Sequence, residues 1–381
     1  MPTILTWRQG ALGDTVLLLP ALAALRAACP AHHIVACGQV AALAPALWSG
    51  LVDRTRDAAD PRCAALAAGN APAPGTLPDD VDVAVVWSAR RAAIARGLER
   101  AGARRVLAAP ALPAGRTSVA AHYLSTLAAL GVRPVPFRLR APCDAVERTQ
   151  AAWSRATRDT REPVVLLHPG AGSPVKRWPL PRYLALAQAL RSEGMAVAWT
   201  AGPADDDERA ALGTAGEGPH LLPCLDVAEL AAVLVRTGVV VSGDSGVAHL
   251  AALLDVPSVV LFGPTDYITW GPPGERTTIL RLAVPCSPCG EIARHCPSRM
   301  CLRGLSCEAV HAAVHARLAL HGAQPVRSAR RASVGTVPRL APCVPAECHP
   351  PVPAPGPPGV LPVARWAHGR IWAARPPSAP E

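Results

Sequence analysis

The stretch 239–249 combines a hydrophobic run with a glycine-rich turn, and reads Val-Val-Val-Ser-Gly-Asp-Ser-Gly-Val-Ala-His. The three valines predict a buried strand, and Asp244 or Ser245 can cap the helix that follows. Free amide groups and the helix dipole at that helix start favour an anion, most commonly a phosphate. An ordinary capped βαβ unit would show the same pattern. Asp244 and His249 favour the ligand site, because a five-residue offset returns the histidine to the region of the first helical turn.

A similar strand, turn and helix are predicted near the N-terminus, and they place the carboxylate of Asp14 at the start of a helix. Residues 3–7 predict a strand, Gly10 and Gly13 make a tight turn, and Asp14 begins a helix predicted over 15–28. Asp14 either caps this helix only or acts at the rim of the sheet, where ligands bind. The Gly-x-x-Gly spacing differs from the dinucleotide fingerprint Gly-x-Gly-x-x-Gly, and no suitable acidic residue closes the next strand. NAD binding is therefore not expected.

One cation stands out in the composition. Lys176 is the only lysine, against thirty-seven arginines. Lysine offers a compact point charge where arginine offers a planar fork, so its presence in the Gly- and Pro-rich turn 168–179 suggests a geometric requirement there. The alternative is that the single lysine arose by chance.

Four cysteines precede the last predicted helix, at Cys286, Cys289, Cys296 and Cys301. Four thiolates can hold zinc or iron tetrahedrally. Only one Cys-x2-Cys pair is present, however, and a loop stabilised by small reduced side chains is equally compatible with the spacing. The chain has twelve cysteines, but it is too long for a disulfide-stapled mini-fold and shows no export signal, so most are expected to be reduced.

The elements that must position these residues alternate between strands and helices. This alternation predicts an α/β protein with two parallel sheets, since 381 residues can bury two cores. Strands are predicted at 3–7, 33–37, 81–87, 104–108, 163–167, 195–200, 220–222, 239–241 and 258–262. Helices are predicted at 15–28, 89–101, 117–130, 145–158, 180–192, 227–236 and 306–320, and another ends near 212.

Composition divides the chain into three parts. We expect one domain over 1–150, a second over 151–321 and a disordered tail over 322–381, which carries fourteen of the forty-two prolines. The tail also holds seven Arg and two Glu, half of the formal net charge of +10. Arginine is scattered and aromatic residues are few, which argues against a nucleic-acid partner. No apolar run reaches the ~20 residues of a membrane span and no leader is recognisable, so a cytoplasmic protein is expected.

Four motifs in order carry a resemblance to a known family. They are 10–14 (Gly-Ala-Leu-Gly-Asp), 168–179 with its His-Pro-Gly-Ala-Gly and Lys-Arg-Trp-Pro, 243–249, and 261–265 (Leu-Phe-Gly-Pro-Thr). Each is weak alone, but the ordered set resembles glycosyltransferase family 9, the ADP-heptose:lipopolysaccharide heptosyltransferases. The likeness covers roughly 1–320, and the cysteine loop is similar to one in many members. The tail has no recognised counterpart.

The resemblance implies a GT-B fold, in which two Rossmann-like domains face each other across a cleft. It implies inverting transfer of heptose from ADP-heptose to a lipopolysaccharide inner-core acceptor, or to lipid A-Kdo, without a required cofactor or catalytic metal. Asp14 then matches the general base on the acceptor side, whose turn contains Gly10 and Gly13. The donor side is implied to comprise Lys176, Arg177, Asp244, Ser245, Gly246, His249, His168, Gly170, Thr265 and Asp205.

Several of these assignments have ordinary structural alternatives. His168 beside a proline is as often structural as ligand-binding, and Thr265 either bonds a phosphate or finishes a turn. Asp205 is one of four neighbouring acidic residues that could hold a ribose. Trp178 and Trp270 are either stacking walls or plugs at the edge of a core.

Two other functions remain open. One is a protein heptosyltransferase that acts on an adhesin and holds structural zinc or iron in the cysteine loop. The other is a catalytically silent protein that only binds a nucleotide-sugar. For the lipopolysaccharide reaction, the basic charge suits peripheral contact with the inner face of the cytoplasmic membrane.

Overall fold

The computed structural model describes residues 2–78 and 80–322, and within them the strands form two five-stranded parallel sheets. The first sheet has the order β3-β2-β1-β4-β5 and the second the order β10-β9-β8-β6-β7. The strands are β1 (Thr3–Arg8), β2 (His33–Gly38), β3 (Arg54–Asp57), β4 (Val81–Trp87), β5 (Arg105–Ala109), β6 (Val164–His168), β7 (Ala196–Trp199), β8 (Val239–Gly243), β9 (Ser258–Phe262) and β10 (Thr277–Arg281). The strand order reverses beside β1 and beside β6, and open α/β sheets bind ligands at the carboxyl ends of strands at such points.

Helices connect the strands and cover both faces of each sheet. They are α1 (Leu12–Ala28), α2 (Val40–Trp48), α3 (Ala64–Ala67), α4 (Arg91–Arg100), α5 (Val119–Leu127), α6 (Cys143–Thr157), α7 (Leu180–Ser192), α8 (Asp206–Thr214), α9 (Val227–Leu234), α10 (Gly246–Leu253), α11 (Tyr267–Trp270), α12 (Met300–Arg303) and α13 (Cys307–Gly322). None of the described helices is long and apolar enough to cross a membrane.

One hydrophobic core continues from the first sheet into the second. The middle of α1 is buried on all sides, and this helix packs against α2 and α5 of its own half and against α10 of the other. Leu18 and Leu22 belong to the same buried cluster as Leu250 and Leu253. Each such side chain contributes about 1.5–3 kcal/mol when it leaves water. The contact between α1 and α10 therefore holds the two halves together and brings the starts of these helices side by side.

A separate core lies on the outer face of the second sheet. Neighbouring residues of a strand point to opposite faces, so Leu167 faces this core while Leu166 faces the shared one. Helices α7 and α13 cover the outer face, with Leu186 and Val314 among the buried contacts. The last helix is thus packed on the side of the sheet away from the first half.

The predicted α/β architecture with two parallel sheets is confirmed, but one predicted strand is absent and two strands were missed. Residues 220–222 form no strand; 218–220 is a 3-10 turn, and Leu221 makes only an isolated bridge to Trp199. The strands β3 and β10 were not predicted. Both are edge strands. The sequence of β3 is Arg-Thr-Arg-Asp, which lacks the apolar residues that indicate a strand because an edge strand is partly exposed to solvent.

The predicted domain boundary at residue 150 lies inside α6. This helix packs against α9 and β7 of the second half. On this packing we propose a boundary before α6, within the extended segment 132–142. The tail predicted to be disordered lies outside the described residues from 323 onward.

Candidate active site

The starts of α1 and α10 meet at the junction of the two halves. A Cβ placed on Gly13 would lie 3.2 Å from Cδ2 of His249, and one placed on Gly246 would lie 2.9 Å from Cβ of Leu12. These glycines therefore permit a close approach that larger side chains would prevent. As a result, two positively polarised helix ends border the same space, an arrangement that attracts an anion.

On the first half, Asp14 is held by an arginine from the end of β1. Nη2 of Arg8 donates to Oδ1 of Asp14 across 2.6 Å, and the Ala11 amide donates to Oδ2 across 3.0 Å. Helix α1 begins at Leu12, three residues before the predicted start, so Asp14 lies in its first turn and caps the Ala11 amide instead of being the N-cap itself. Its side chain is 21% exposed. A carboxylate fixed in this way can still offer an oxygen to a ligand.

Arg8 is in turn oriented by Tyr123 of α5. Nε of Arg8 donates to the Tyr123 hydroxyl across 2.7 Å, and both residues are buried. Burial raises the pKa of Tyr123, an effect that the nearby Arg8 charge opposes. Neither residue was predicted from the sequence. A charged residue at the end of a fully buried strand was a usable signal for Arg8, whereas Tyr123 is distant in sequence and carried none.

On the second half, the only lysine contacts the turn that begins α10. Nζ of Lys176 donates to Oδ2 of Asp244 across 2.8 Å and lies 5.9 Å from the centre of the Trp270 ring. Asp244 is 5% exposed and Lys176 is 29% exposed. The structure thus brings together the predicted lysine and the predicted turn, with a partly exposed lysine side chain against a buried carboxylate.

His249 lies beneath this pair. It is 2% exposed, its Nε2 lies 3.9 Å from Oδ1 of Asp244, and its Nδ1 has no hydrogen-bond partner among the described residues. Burial lowers the pKa of His249, although the charges of Asp244 and Asp14 oppose the shift. The imidazole is therefore neutral at pH 7 and has one ring nitrogen available for a ligand.

Two hydroxyl groups nearby are also unsatisfied. Oγ of Ser245 and Oγ1 of Thr265 are shielded from solvent without a hydrogen-bond partner in the described part of the chain. They follow β8 and β9, so they lie at the carboxyl edge of the second sheet. Buried polar groups usually find a partner, and oxygens of a bound ligand would satisfy these.

The remaining donor-side residues form a second, self-contained cluster. Oδ2 of Asp205 accepts from the Gly202 amide across 2.8 Å, and Oδ1 lies 3.7 Å from Nη2 of Arg177. A Cβ on Gly170 would come within 2.2 Å of the Asp205 carboxylate. Arg177 also pairs with Glu208. Asp205 therefore ties together the loops after β6 and β7, and its assignment to a ribose stays a prediction.

His168 has a structural partner. Its Nδ1 lies 3.0 Å from the Thr200 carbonyl oxygen, and burial lowers its pKa. Trp178 is also structural, because it is 1% exposed and donates to the Leu305 carbonyl. A cavity of about 290 Å³ opens beside this cluster, and its walls include Arg177, Glu208 and Arg303.

The cysteine loop shows no preformed metal geometry. Cys286 is exposed, Cys289 and Cys296 are half-buried, and Cys301 is buried. Among the described residues, one group of three metal-binding side chains has ligand atoms within 4.8 Å of one another, and it contains no cysteine. Metal binding by these four thiols stays a prediction.

Two parallel-sheet domains face each other at the carboxyl ends of their strands. One carries a carboxylate there, and the other carries a lysine beside a helix start. This arrangement defines a GT-B protein, and comparison with known proteins identifies its family. The chain belongs to glycosyltransferase family 9 (heptosyltransferase), whose model matches residues 76–298. Lipopolysaccharide heptosyltransferase 1 of Pseudomonas aeruginosa is 39% identical over 127 residues, which are 33% of this chain and 36% of that protein. The alignment thus spans about a third of that relative's length.

Solved structures agree on the fold. A glycosyl transferase family 9 protein from Veillonella parvula superposes with a TM-score of 0.67 at 20% identity, covering 84% of this chain and 98% of the other. An ADP-heptose lps heptosyltransferase II from Escherichia coli gives a TM-score of 0.62 at 18% identity, with 84% and 100% covered. The predicted GT-B fold and family are confirmed.

Proposed function

We propose that this protein is an inverting glycosyltransferase that moves heptose from ADP-heptose to an inner-core acceptor of lipopolysaccharide. The observation that carries the proposal is the contact between Gly13 and His249, because it puts Asp14 of one domain beside the α10 start of the other. The names of the relatives support the choice of sugar, nucleotide and acceptor. Family membership supports glycosyl transfer as the reaction class.

Asp14 is proposed to be the general base. In an inverting transfer, an acceptor hydroxyl oxygen attacks the anomeric carbon while a base takes its proton and the bond to the diphosphate breaks. Asp14 is partly exposed and is fixed by Arg8 and the Ala11 amide, so one carboxylate oxygen can be aimed at the acceptor. The ion pair also limits rotation of the side chain, which keeps the base in position.

The departing diphosphate needs stabilisation on the opposite domain. Lys176, the first amide groups of α10, and the hydroxyls of Ser245 and Thr265 can provide it. Asp244 holds the ammonium group of Lys176 at this edge, and His249 can add one hydrogen bond from its free nitrogen. Since these groups supply the needed positive charge and donors, we propose that catalysis requires no metal ion.

The proposed acceptor is a lipid-anchored saccharide, which gives the basic surface a role. A formal charge of +10 favours an anionic membrane face over bulk solution. We therefore propose that the enzyme works in the cytoplasm in peripheral contact with the inner membrane.

The test is a transfer assay with purified full-length protein, ADP-heptose and a truncated inner-core acceptor. Release of ADP together with a heptose-sized mass increase of the acceptor is expected. Transfer only to an adhesin polypeptide would replace the proposed acceptor by a protein. Donor binding without transfer to either acceptor would indicate a nucleotide-sugar-binding protein instead of an enzyme.

A further inference from the structure

A cluster of potential metal ligands lies outside the proposed active site. Oε1 of Glu193 is 2.8 Å from Nε2 of His311, and Oε2 is 2.8 Å from Nε2 of His315. The ligand atoms of the three side chains all lie within 4.8 Å of one another. Glu193 ends α7, and the histidines belong to α13, so the cluster joins two helices on the outer face of the second sheet.

The spacing of the histidines suits chelation. Residues four apart on a helix share one face, and two histidines at this spacing recur in zinc sites. The rings of His311 and His315 are 4.6 Å apart and inclined at 55°, so they stand side by side without stacking. Both Nε2 atoms therefore lie beside the same carboxylate, one near each of its oxygens.

The present contacts leave the two nitrogens unsatisfied. Both Nε2 atoms are shielded from solvent, and neither has hydrogen-bond geometry to any described residue despite the short distance to Glu193. Ligands of tetrahedral zinc are about 3.3 Å apart, given Zn–N and Zn–O distances near 2.0–2.1 Å. The two O–N contacts of 2.8 Å would therefore lengthen by roughly half an ångström when zinc binds.

The position of Glu193 adds an electrostatic reason for a cation. It is the C-cap of α7, where the helix dipole is negative, so a carboxylate there is unfavourable without positive charge nearby. Gly194 has a φ of +84° and turns the chain away immediately afterwards, which fixes the carboxylate at the helix end. A bound divalent ion would offset both negative charges.

We propose that Glu193, His311 and His315 bind a divalent transition-metal ion of the zinc type, which fastens α13 to α7. Two imidazoles and one carboxylate favour zinc, nickel or copper over magnesium or calcium. Water would complete the coordination on the exposed side. The site lies on the face of the sheet opposite α10, so its role is structural and independent of the proposed transfer reaction.

Binding is tested with Zn²⁺ titrated calorimetrically into the untagged, EDTA-treated full chain. Loss of a residue that only supports a metal ligand weakens metal affinity roughly 10–100-fold. His311→Ala and the size-conserving His315→Gln each remove a ligand itself, so they should weaken Zn²⁺ binding by more than this. Cys289→Ser and the exposed His295→Ala should leave this binding unchanged. Circular dichroism verifies that each variant is folded, and Zn²⁺ should raise the melting temperature of the parent protein but not of Glu193→Gln.

Co²⁺ serves as a spectroscopic probe to separate this site from the cysteine loop. Visible ligand-field bands without near-ultraviolet thiolate charge transfer are expected, and they should disappear in His315→Gln. Absence of Zn²⁺ binding, binding unaltered in both histidine variants, or a cobalt spectrum dominated by thiolate bands would each overturn the proposal. The alternative, a carboxylate bonded to two imidazole N–H groups, predicts the same melting temperature of the parent protein with and without Zn²⁺.

Discussion

Lys176 donates a hydrogen bond to Asp244 across 2.8 Å, which joins the loop after β6 to the turn that starts α10. The carboxylate is buried, whereas the lysine side chain keeps part of its surface exposed. A ligand at this edge would therefore meet the cation first. The pair gives a physical reason why this position is lysine in a chain otherwise rich in arginine. A compact ammonium group fits where a planar guanidinium would need a wider space.

We expect Lys176 and Asp244 to be energetically coupled. A double-mutant cycle of Lys176→Met and Asp244→Asn, measured by urea unfolding, should give a coupling of about 0.5–3 kcal/mol, since the residues share a hydrogen bond. The exposed pair Arg62 and Asp60 is the matched control and should couple much more weakly. Lys176→Met should also raise the KM for ADP-heptose. Equal coupling in the two cycles would contradict a special role for the lysine pair.

Asp14→Asn should reduce kcat by about 10²–10⁴-fold, the usual contribution of a general base. Its affinity for ADP should be nearly unchanged, because the donor groups lie on the other domain. Steady-state ADP release and calorimetric titration with ADP measure the two quantities. Asp53→Asn, which alters a carboxylate paired with Arg26 away from the cleft, is the control. If the kcat of Asp14→Asn is close to that of the control, Asp14 is not the general base and serves only to cap the helix.

Gly246→Ala should force α10 away from α1. The new methyl group would lie 2.9 Å from Cβ of Leu12, and such overpacking costs about 1–3 kcal/mol. Because α1 and α10 form the junction of the domains, turnover should fall together with stability. Gly213→Ala in α8 meets no atom within 4 Å and should be neutral or slightly stabilising. Chemical unfolding of both variants provides the measurement, and similar unfolding midpoints would argue against close packing at the junction.

The buried His249 should make stability fall in acid. Its pKa in the folded protein is lowered by burial, so the unfolded chain takes up the proton first as the pH decreases. Its contribution is fully present above the unfolded pKa of about 6.5 and is lost as the pH falls towards the lower folded value. The largest slope for one such histidine is about 1.4 kcal/mol per pH unit.

Urea unfolding between pH 7.5 and 5.5 measures this dependence. His249→Gln should show a shallower decline than the parent protein, whereas the exposed His295→Gln should follow the parent curve. His168 is also buried and has a lowered pKa, so some decline should persist in His249→Gln. Identical slopes for all three proteins would mean that His249 is not buried in solution.

Much of the fold could be read from the sequence because burial leaves a regular pattern. Apolar β-branched runs such as 239–241 predict central strands, which are covered on both faces. Glycine-rich turns before α1 and α10 predict the loops at the carboxyl edge, where the proposed site lies. Edge strands such as β3 were not predicted because they are partly exposed to solvent, so their side chains need not be apolar.

The sequence by itself therefore determined the two sheets, the turns that hold Asp14 and Asp244, and the resemblance that named the family. Only the tertiary structure decided which distant side chains meet. Arg8 reaches Tyr123 across 115 positions, Lys176 reaches Asp244 across 68, and Glu193 meets two histidines of the last helix. The physical reason is that local spacing sets the face on which a side chain lies, whereas partners from other elements are chosen by how the helices pack on the sheets.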